Sequence, residues 1–208
     1  EVRVNGGTIS AGGALNIGTG AGAAYARFFM ENGSASVGNG TTIGNNGLNA
    51  AFIMSGGTFT NSTGHFRVGN NSSGRLEISG GSIVITNNAQ FLIGFNAKGA
   101  GTVEMTGGSI TAGIMNMGAL NDAQFNLLDG TLQVASLVIT TYAASSVNLH
   151  IEAGTFLWAG DQIASLDTFI NDGVVTWTNG QAMLSQTYDA SWTNGTSVLY
   201  AKVDAGVT

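Results

Sequence analysis

The 208-residue sequence contains no cysteine and no proline. Without cysteine there are no disulfides and no thiolate metal sites, and without proline the commonest blunting residue of edge strands is missing. Charge is scarce as well. Only 9% of residues are charged, six are basic, and the net charge is -6. Six scattered cations do not make the basic stripe that nucleic-acid binding needs. The polar surface must therefore come from Ser, Thr, Asn and Gly, which suits neutral, hydroxyl-rich partners. No apolar run approaches the roughly 18 residues of a membrane helix. Phosphate loops, nucleophile elbows and zinc motifs are absent too.

What the chain has is glycine, 33 of them, in a fixed order. A double glycine, or Asn-Gly, Asp-Gly or Ala-Gly in its place, precedes Thr or Ser and then an apolar residue. It recurs at Gly6-Gly7-Thr8-Ile9, Asn32-Gly33-Ser34-Ala35, Gly56-Gly57-Thr58-Phe59, Gly80-Gly81-Ser82-Ile83, Gly107-Gly108-Ser109-Ile110, Asp129-Gly130-Thr131-Leu132 and Ala153-Gly154-Thr155-Phe156. The steps between second glycines are 26, 24, 24, 27, 22 and 24 residues. A second marker, two apolar residues at i and i+2 followed by glycine, keeps the same period: Leu15/Ile17, Phe66/Val68, Phe91/Ile93 and Met115/Met117, with Thr42-Ile43-Gly44 between. A third alternating run precedes each double glycine, as in Phe52-Ile53-Met54, Leu76-Glu77-Ile78, Val103-Glu104-Met105, Phe125-Asn126-Leu127 and Leu149-His150-Ile151.

Three short strands per repeat, alternating with period 2 and cornered by glycine, predict an all-β, three-sided parallel β-helix of about 24–25 residues per coil. Right-handed winding follows from the general preference of parallel crossovers. The coils are expected over 1–160 and a cap over 161–208, within one domain. In the cap, Ile163, Leu166, Phe169 and Ile170 share one helical face, with Asp161 as N-cap and Gly173 beyond the C-terminus. Irregular strands are expected at Val174 to Thr178, Thr187 to Trp192 and Ser197 to Val203. The strand-like ends suggest a module of a longer secreted protein.

Outward residues one coil apart form ladders. The first side, after the double glycine, carries Thr8/Ser10, Ser34/Ser36, Thr58/Thr60, Ser82/Val84, Ser109/Thr111, Thr131/Gln133 and Thr155/Leu157. The third side carries Arg27/Phe29, Ala51/Ile53, Arg75/Glu77, Thr102/Glu104, Gln124/Asn126 and Asn148/His150, with Arg75 expected to pair with Glu77 or Glu104. Stacked Glu77 and Glu104 on an open face do not make a catalytic pair. His65 and His150 fall on different sides, so no histidine metal pair forms. No cofactor is expected; a structural calcium would fall to Asp122, Asp129, Asp161 or Asp172, for which no motif is present. Asn45-Asn46, Asn70-Asn71 and Asn87-Asn88 read as turn residues and amide ladders, and sequons at Asn39, Asn61, Asn71 and Asn194 as products of composition.

The aromatics point to function. Trp158, Trp177 and Trp192 all lie in the last quarter, with Tyr142, Tyr188 and Tyr200 near them. Exposed rings stack on the apolar faces of sugars while amides bond the hydroxyls. Trp158, Trp177, Trp192, Tyr188 and Tyr142 are the candidate carbohydrate-binding residues, and alternation turns Trp177 outward.

The motif chain Gly-Gly-Thr-apolar, apolar-x-apolar-Gly, apolar-x-apolar-Ser-Gly-Gly, over about Val4 to Trp158, resembles the β-strand repeats of bacterial autotransporter-like and sorting-signal surface proteins. In size and polar surface the chain is also similar to β-helical, xylan-binding carbohydrate-binding modules. These resemblances imply a bacterial, extracellular or cell-surface, non-enzymatic protein whose partner is a plant cell-wall polysaccharide such as xylan. The alternatives are an adhesin or passenger stalk, an ice-binding protein through the hydroxyl face, and a polysaccharide lyase.

Overall fold

The structure is a computed structural model. It describes all residues except 21–24, 47–48, 119, 141–145, 178–181, 190–195 and 204–208, and describes 87–88, 182–189 and 196–203 through their backbone alone. The chain runs through β1 (Val2–Ala11), β2 (Leu15–Ile17), β3 (Ala26–Val37), β4 (Thr41–Ile43), β5 (Ala50–Met54), β6 (Thr58–Asn61), β7 (Phe66–Val68) and β8 (Gly74–Ile78). It continues through β9 (Ser82–Ile93), β10 (Gly101–Met117), β11 (Ala123–Ile139), β12 (Val147–Ile151) and β13 (Thr155–Ala159), and ends with α1 (Ile163–Asn171), β14 (Val175–Trp177), β15 (Ala182–Asp189) and β16 (Thr196–Val203). The result is a parallel β-solenoid of about seven turns. The long strands β9, β10 and β11 serve more than one side, β10 bending at Gly107-Gly108 and β11 at Gly130.

The register follows the sequence markers. On the third side Val2, Phe28, Phe52, Leu76, Val103, Phe125, Leu149 and Val175 stand one above another. The first side stacks Ile9, Ala35, Phe59, Ile83, Ile110, Leu132 and Phe156. The second stacks Leu15, Thr41, Phe66, Phe91, Met115 and Leu137. These columns meet in the middle. Phe66 lies 5.9 Å edge-on from Phe59 and 5.6 Å from Phe91, and Phe52 lies 5.0 Å from both Phe28 and Phe59. Such edge contacts add about 0.5–1.5 kcal/mol per pair beyond the burial of the rings.

The double-glycine corner has a steric cause. Gly57 has φ of +79°, and a Cβ on it would come within 2.5 Å of the Gly33 carbonyl oxygen one coil below. Its own carbonyl accepts the Ser82 N–H of the next coil at 2.9 Å. Backbone must touch backbone there, so a side chain is excluded. At the other corners, amides form the predicted ladder: Asn45 donates to Asn16 at 3.2 Å, Asn70 to Asn45 at 2.9 Å, and Asn96 to Asn70 at 2.8 Å. A parallel track joins Asn71 to Asn46 and Asn96 to Asn71. Asn87-Asn88 lies outside the residues whose side chains are described. Asn61, noted above only as a sequon, is fully buried; its amide donates to the Thr63 and Gly64 carbonyls and accepts the Thr41 hydroxyl at 3.0 Å.

The ends differ. At the N-terminal coil no strand lies outside β1 among the described residues, so Val2 is 55% and Ile9 43% exposed although they stand in core columns. Ile9 was expected in the inward stripe; it has the inward direction without a coil to cover it. At the other end β16 pairs antiparallel with β13 and with β15, closing the first side with a hairpin. The cap helix starts after Gln162 rather than at Asp161, whose carboxylate reaches the Ile163 N–H only at 3.4 Å. Its end is a Schellman turn on Gly173 at φ +70°, with Gly173 N–H on the Ile170 carbonyl and Val174 N–H on that of Phe169. Leu166 is buried under it, with Phe169 and Ile170 packed on the core.

Phe66→Ala should cost about 3–5 kcal/mol in equilibrium unfolding, and Gly57→Ala about 1–3 kcal/mol or more through φ and the Gly33 contact. A change under 0.5 kcal/mol in either would contradict the stacking described.

Candidate functional site

The third side begins as a ladder of outward residues, and its lower half is charged. Arg75 Nε lies 2.9 Å from Glu77 and Nη2 lies 3.0 Å from Glu104, so one guanidinium bridges two carboxylates on adjacent coils. The pairs are surface-exposed and contribute about 0–1 kcal/mol. They also leave neither glutamate disposed as an isolated acid or base. Further along, Asn148 donates to the Thr176 hydroxyl at 3.0 Å and His150 Nδ1 lies 3.0 Å from the same oxygen. That stretch is bonded within itself.

Where the second side turns into the third, a shallow groove of about 230 Å³ runs along the rod. Tyr25, Asn49, Ser73, Arg75 and Thr102 line it, over a floor that includes Ala50 and Gly74. The floor stays low because Ala26, Ala50, Gly74 and Gly101 stack in one column of small residues. A Cβ at Gly74 would run into the Ile43 carbonyl oxygen. Tyr25 is 47% exposed, with the Arg27 guanidinium 5.1 Å from its ring centroid. The corner loops that bring Ser73 and Ala100 to the groove also carry the amides Asn70, Asn71 and Asn96. The groove crosses four coils, a span of about 14 Å at the inter-strand spacing. It joins an exposed ring, hydroxyls and an amide.

The aromatics singled out from the sequence lie elsewhere. Trp158 pairs with Val134, an inward position, and is 5% exposed, with its ring stacked on Phe169 of the cap at 6.2 Å and 9°. Trp177 pairs with Ile151, also inward, so Thr176 takes the outward place and Trp177 does not turn outward as expected. Both tryptophans continue core columns toward the cap; the Trp158 ring is covered. Tyr188 stands on β15 opposite Ser197. Tyr142 and Trp192 lie outside the described residues. Tyr25 was not singled out, although it is the one tyrosine far from the C-terminal quarter. Its signal was position: it immediately precedes the small residue that opens a third-side strand.

On the first side the hydroxyl column is complete, with Ser34 donating to Thr8 and Ser109 to Ser82, each at 3.1 Å. Among the described residues no three His, Asp or Glu gather as a metal site. Asp122 accepts the Ser146 N–H at 2.7 Å and Asp129 that of Gly130 at 2.6 Å, both serving turns. On the second side His65 Nδ1 accepts the Gln90 N–H at 3.3 Å, which requires a neutral ring. Burial, with the neighbouring Arg67 guanidinium second, holds its pKa below the ordinary value of 6.5.

No protein-family model, curated protein or solved structure matches the chain.

The folded protein favours neutral His65, so its contribution to stability is full above the unfolded pKa and falls as pH drops through about 6.5 toward the lowered folded value. Thermal unfolding between about pH 7.5 and about pH 5.5 should show this loss, and His65→Asn should shrink it. An equal pH slope in the variant would remove His65 as the cause.

Proposed function

We propose that the chain is a non-catalytic carbohydrate-binding module of a secreted bacterial protein, with a xylan-like plant polysaccharide as ligand. The observation that carries this reading is the Tyr25 groove: an exposed ring above a floor of small residues, walled by Asn49, Ser73 and Thr102. The groove follows the rod axis, so it admits a linear polymer rather than one end of it. Stacking desolvates the apolar face of a sugar against Tyr25, and the amide and hydroxyls take its OH groups. Arg75 is engaged by two carboxylates, so that wall presents no uncompensated guanidinium. The non-catalytic assignment is supported by the same bridge, since both stacked glutamates are engaged by it.

A second reading, the stalk of a surface adhesin, is favoured by the ladders that run from coil to coil along all three sides. The two separate on polysaccharide binding.

In affinity electrophoresis on xylan, Tyr25→Ala should weaken retention several-fold, about 1 kcal/mol. Trp158→Ala should lower thermal stability and leave retention of the folded fraction unchanged. Migration of Tyr25→Ala identical to a retained parent protein would remove the groove as the site. No retention of the parent on any polysaccharide of a plant cell-wall panel would favour the stalk.

A further inference from the structure

The cations of this chain are unevenly placed. Residues 1–100 hold five of the six basic residues against three acids, and residues 101–208 hold one against nine. Arg3 and Arg75 are compensated by carboxylates, Arg3 by Glu1 at 3.0 Å and by Glu31. Arg67 is not. It stands at the centre of β7 in the outward second-side column Thr42, Arg67, Leu92, Asn116 and Val138. No Asp or Glu occurs on any second-side strand segment, and no carboxylate among the described residues lies within ion-pairing distance of its guanidinium.

Its neighbours hold it in place without neutralising it. The side chain is half-buried, and the guanidinium lies over the Phe95 ring, 5.5 Å from the centroid. A guanidinium attracted to a ring in this way makes no hydrogen bond to it, and its N–H groups suit a planar, two-oxygen acceptor. Leu92, one coil up, is buried at 1% exposure, so this stretch of the column is packed rather than solvated. Asn116, two coils up and so about 10 Å along the column, has a buried Oδ1 without a hydrogen-bond partner among the described residues. Buried acceptors in folded proteins are normally satisfied, and this one calls for a hydroxyl or N–H donor. Lys98, exposed on the corner loop that carries Phe95, adds a second positive charge to this stretch.

We propose that the second side, centred on Arg67, is an oxyanion-binding site for an acidic polysaccharide, with uronate carboxylates or sulfate esters held by the Arg67 guanidinium. The acidic-glycan identity of the ligand rests on the carbohydrate-binding reading given above; the oxyanion site itself does not. The two faces then take different ligands. The Tyr25 groove takes neutral chain, and Arg67 takes the acid groups.

The test is binding of polygalacturonate, its carboxyl-reduced form, dextran sulfate, free galacturonate and neutral xylan to the intact chain and to Arg67→Gln, Arg67→Lys and Tyr25→Ala, each checked for folding by circular dichroism. Expected are salt-sensitive binding of polygalacturonate or of dextran sulfate, the pair telling carboxylate from sulfate, and a loss of about tenfold or more in Arg67→Gln, with partial retention in Arg67→Lys. Carboxyl reduction should abolish the polygalacturonate binding, and free galacturonate should bind more weakly than polymer. Equal binding by folded Arg67→Gln, or of reduced and acidic polymer alike, overturns the site. Binding of neutral xylan that depends on Tyr25, without binding of either acidic polymer, overturns this inference and leaves the groove. Arg67-dependent acidic binding with none of neutral xylan supports the oxyanion site and overturns the groove.

Discussion

Every coil of this protein obtains its backbone hydrogen bonds from the coils above and below, and that requirement sets the terms for the remaining residues. At the first-side corner the demand is most severe, because the Gly57 carbonyl must accept the Ser82 N–H while its α-carbon sits over the Gly33 carbonyl. A Cβ at that place would press against the Asn32-Gly33 backbone of the neighbouring coil. The glycine columns are therefore the spacers of the lattice, and hydrophobic filling of the prism is possible only once they fix its pitch. Phe28, Phe52, Phe59, Phe66, Phe91 and Phe125 meet in five edge-to-face contacts and one stacked one, Phe52 on Phe66, at the heights that the backbone ladder imposes.

Stacking at one inter-strand distance also selects the polar residues. Like charges directly opposite each other across a ladder repel, whereas Asn, Ser and Thr each donate and accept, so a column of one such residue satisfies itself. This accounts for a chain with only 9% charged residues and for the amide track running from Asn16 through Asn45 and Asn70 to Asn96. Where the rule is broken, compensation stands beside it. Glu77 and Glu104 are ladder partners, and Arg75 is bonded to both.

The register was legible because three phased markers fix it independently, and a slip of one residue would turn every inward side chain outward. Thus Phe52, Leu76 and Val103 fall on one column, as alternation alone requires. Local alternation failed where no marker anchors its phase: Trp177 follows the last double glycine by more than twenty residues, and only its pairing with Ile151 shows that it faces in. Asp161 missed the N-cap by one residue for a related reason, since the chain leaving β13 passes the Gly160 bend before the helix begins. Tyr25 was illegible as a groove residue because a groove is a relation among four coils. Its floor of Ala50 and Gly74 reads in the sequence as two more small residues among many.

Periodic folds place specific sites where a column changes residue. A column of identical side chains presents the same chemistry at every coil and gives a ligand no preferred position along the rod. At Ala51 the arginine column is interrupted between Arg27 and Arg75, beside the column of small residues that floors the groove. On the second side Thr42, Arg67, Leu92 and Asn116 are four different chemistries in four successive coils, among neighbours that repeat. Arg67 is the costliest of them, because half-burying a guanidinium without a counter-charge gives up hydration that the Phe95 ring beneath it only partly replaces. The lattice imposes no such residue at that place, since Thr42 and Leu92 occupy the same column in the coils on either side. A cation that the fold does not require, held by a ring and left without an acid, is best understood as half of an interaction whose other half comes from outside the chain.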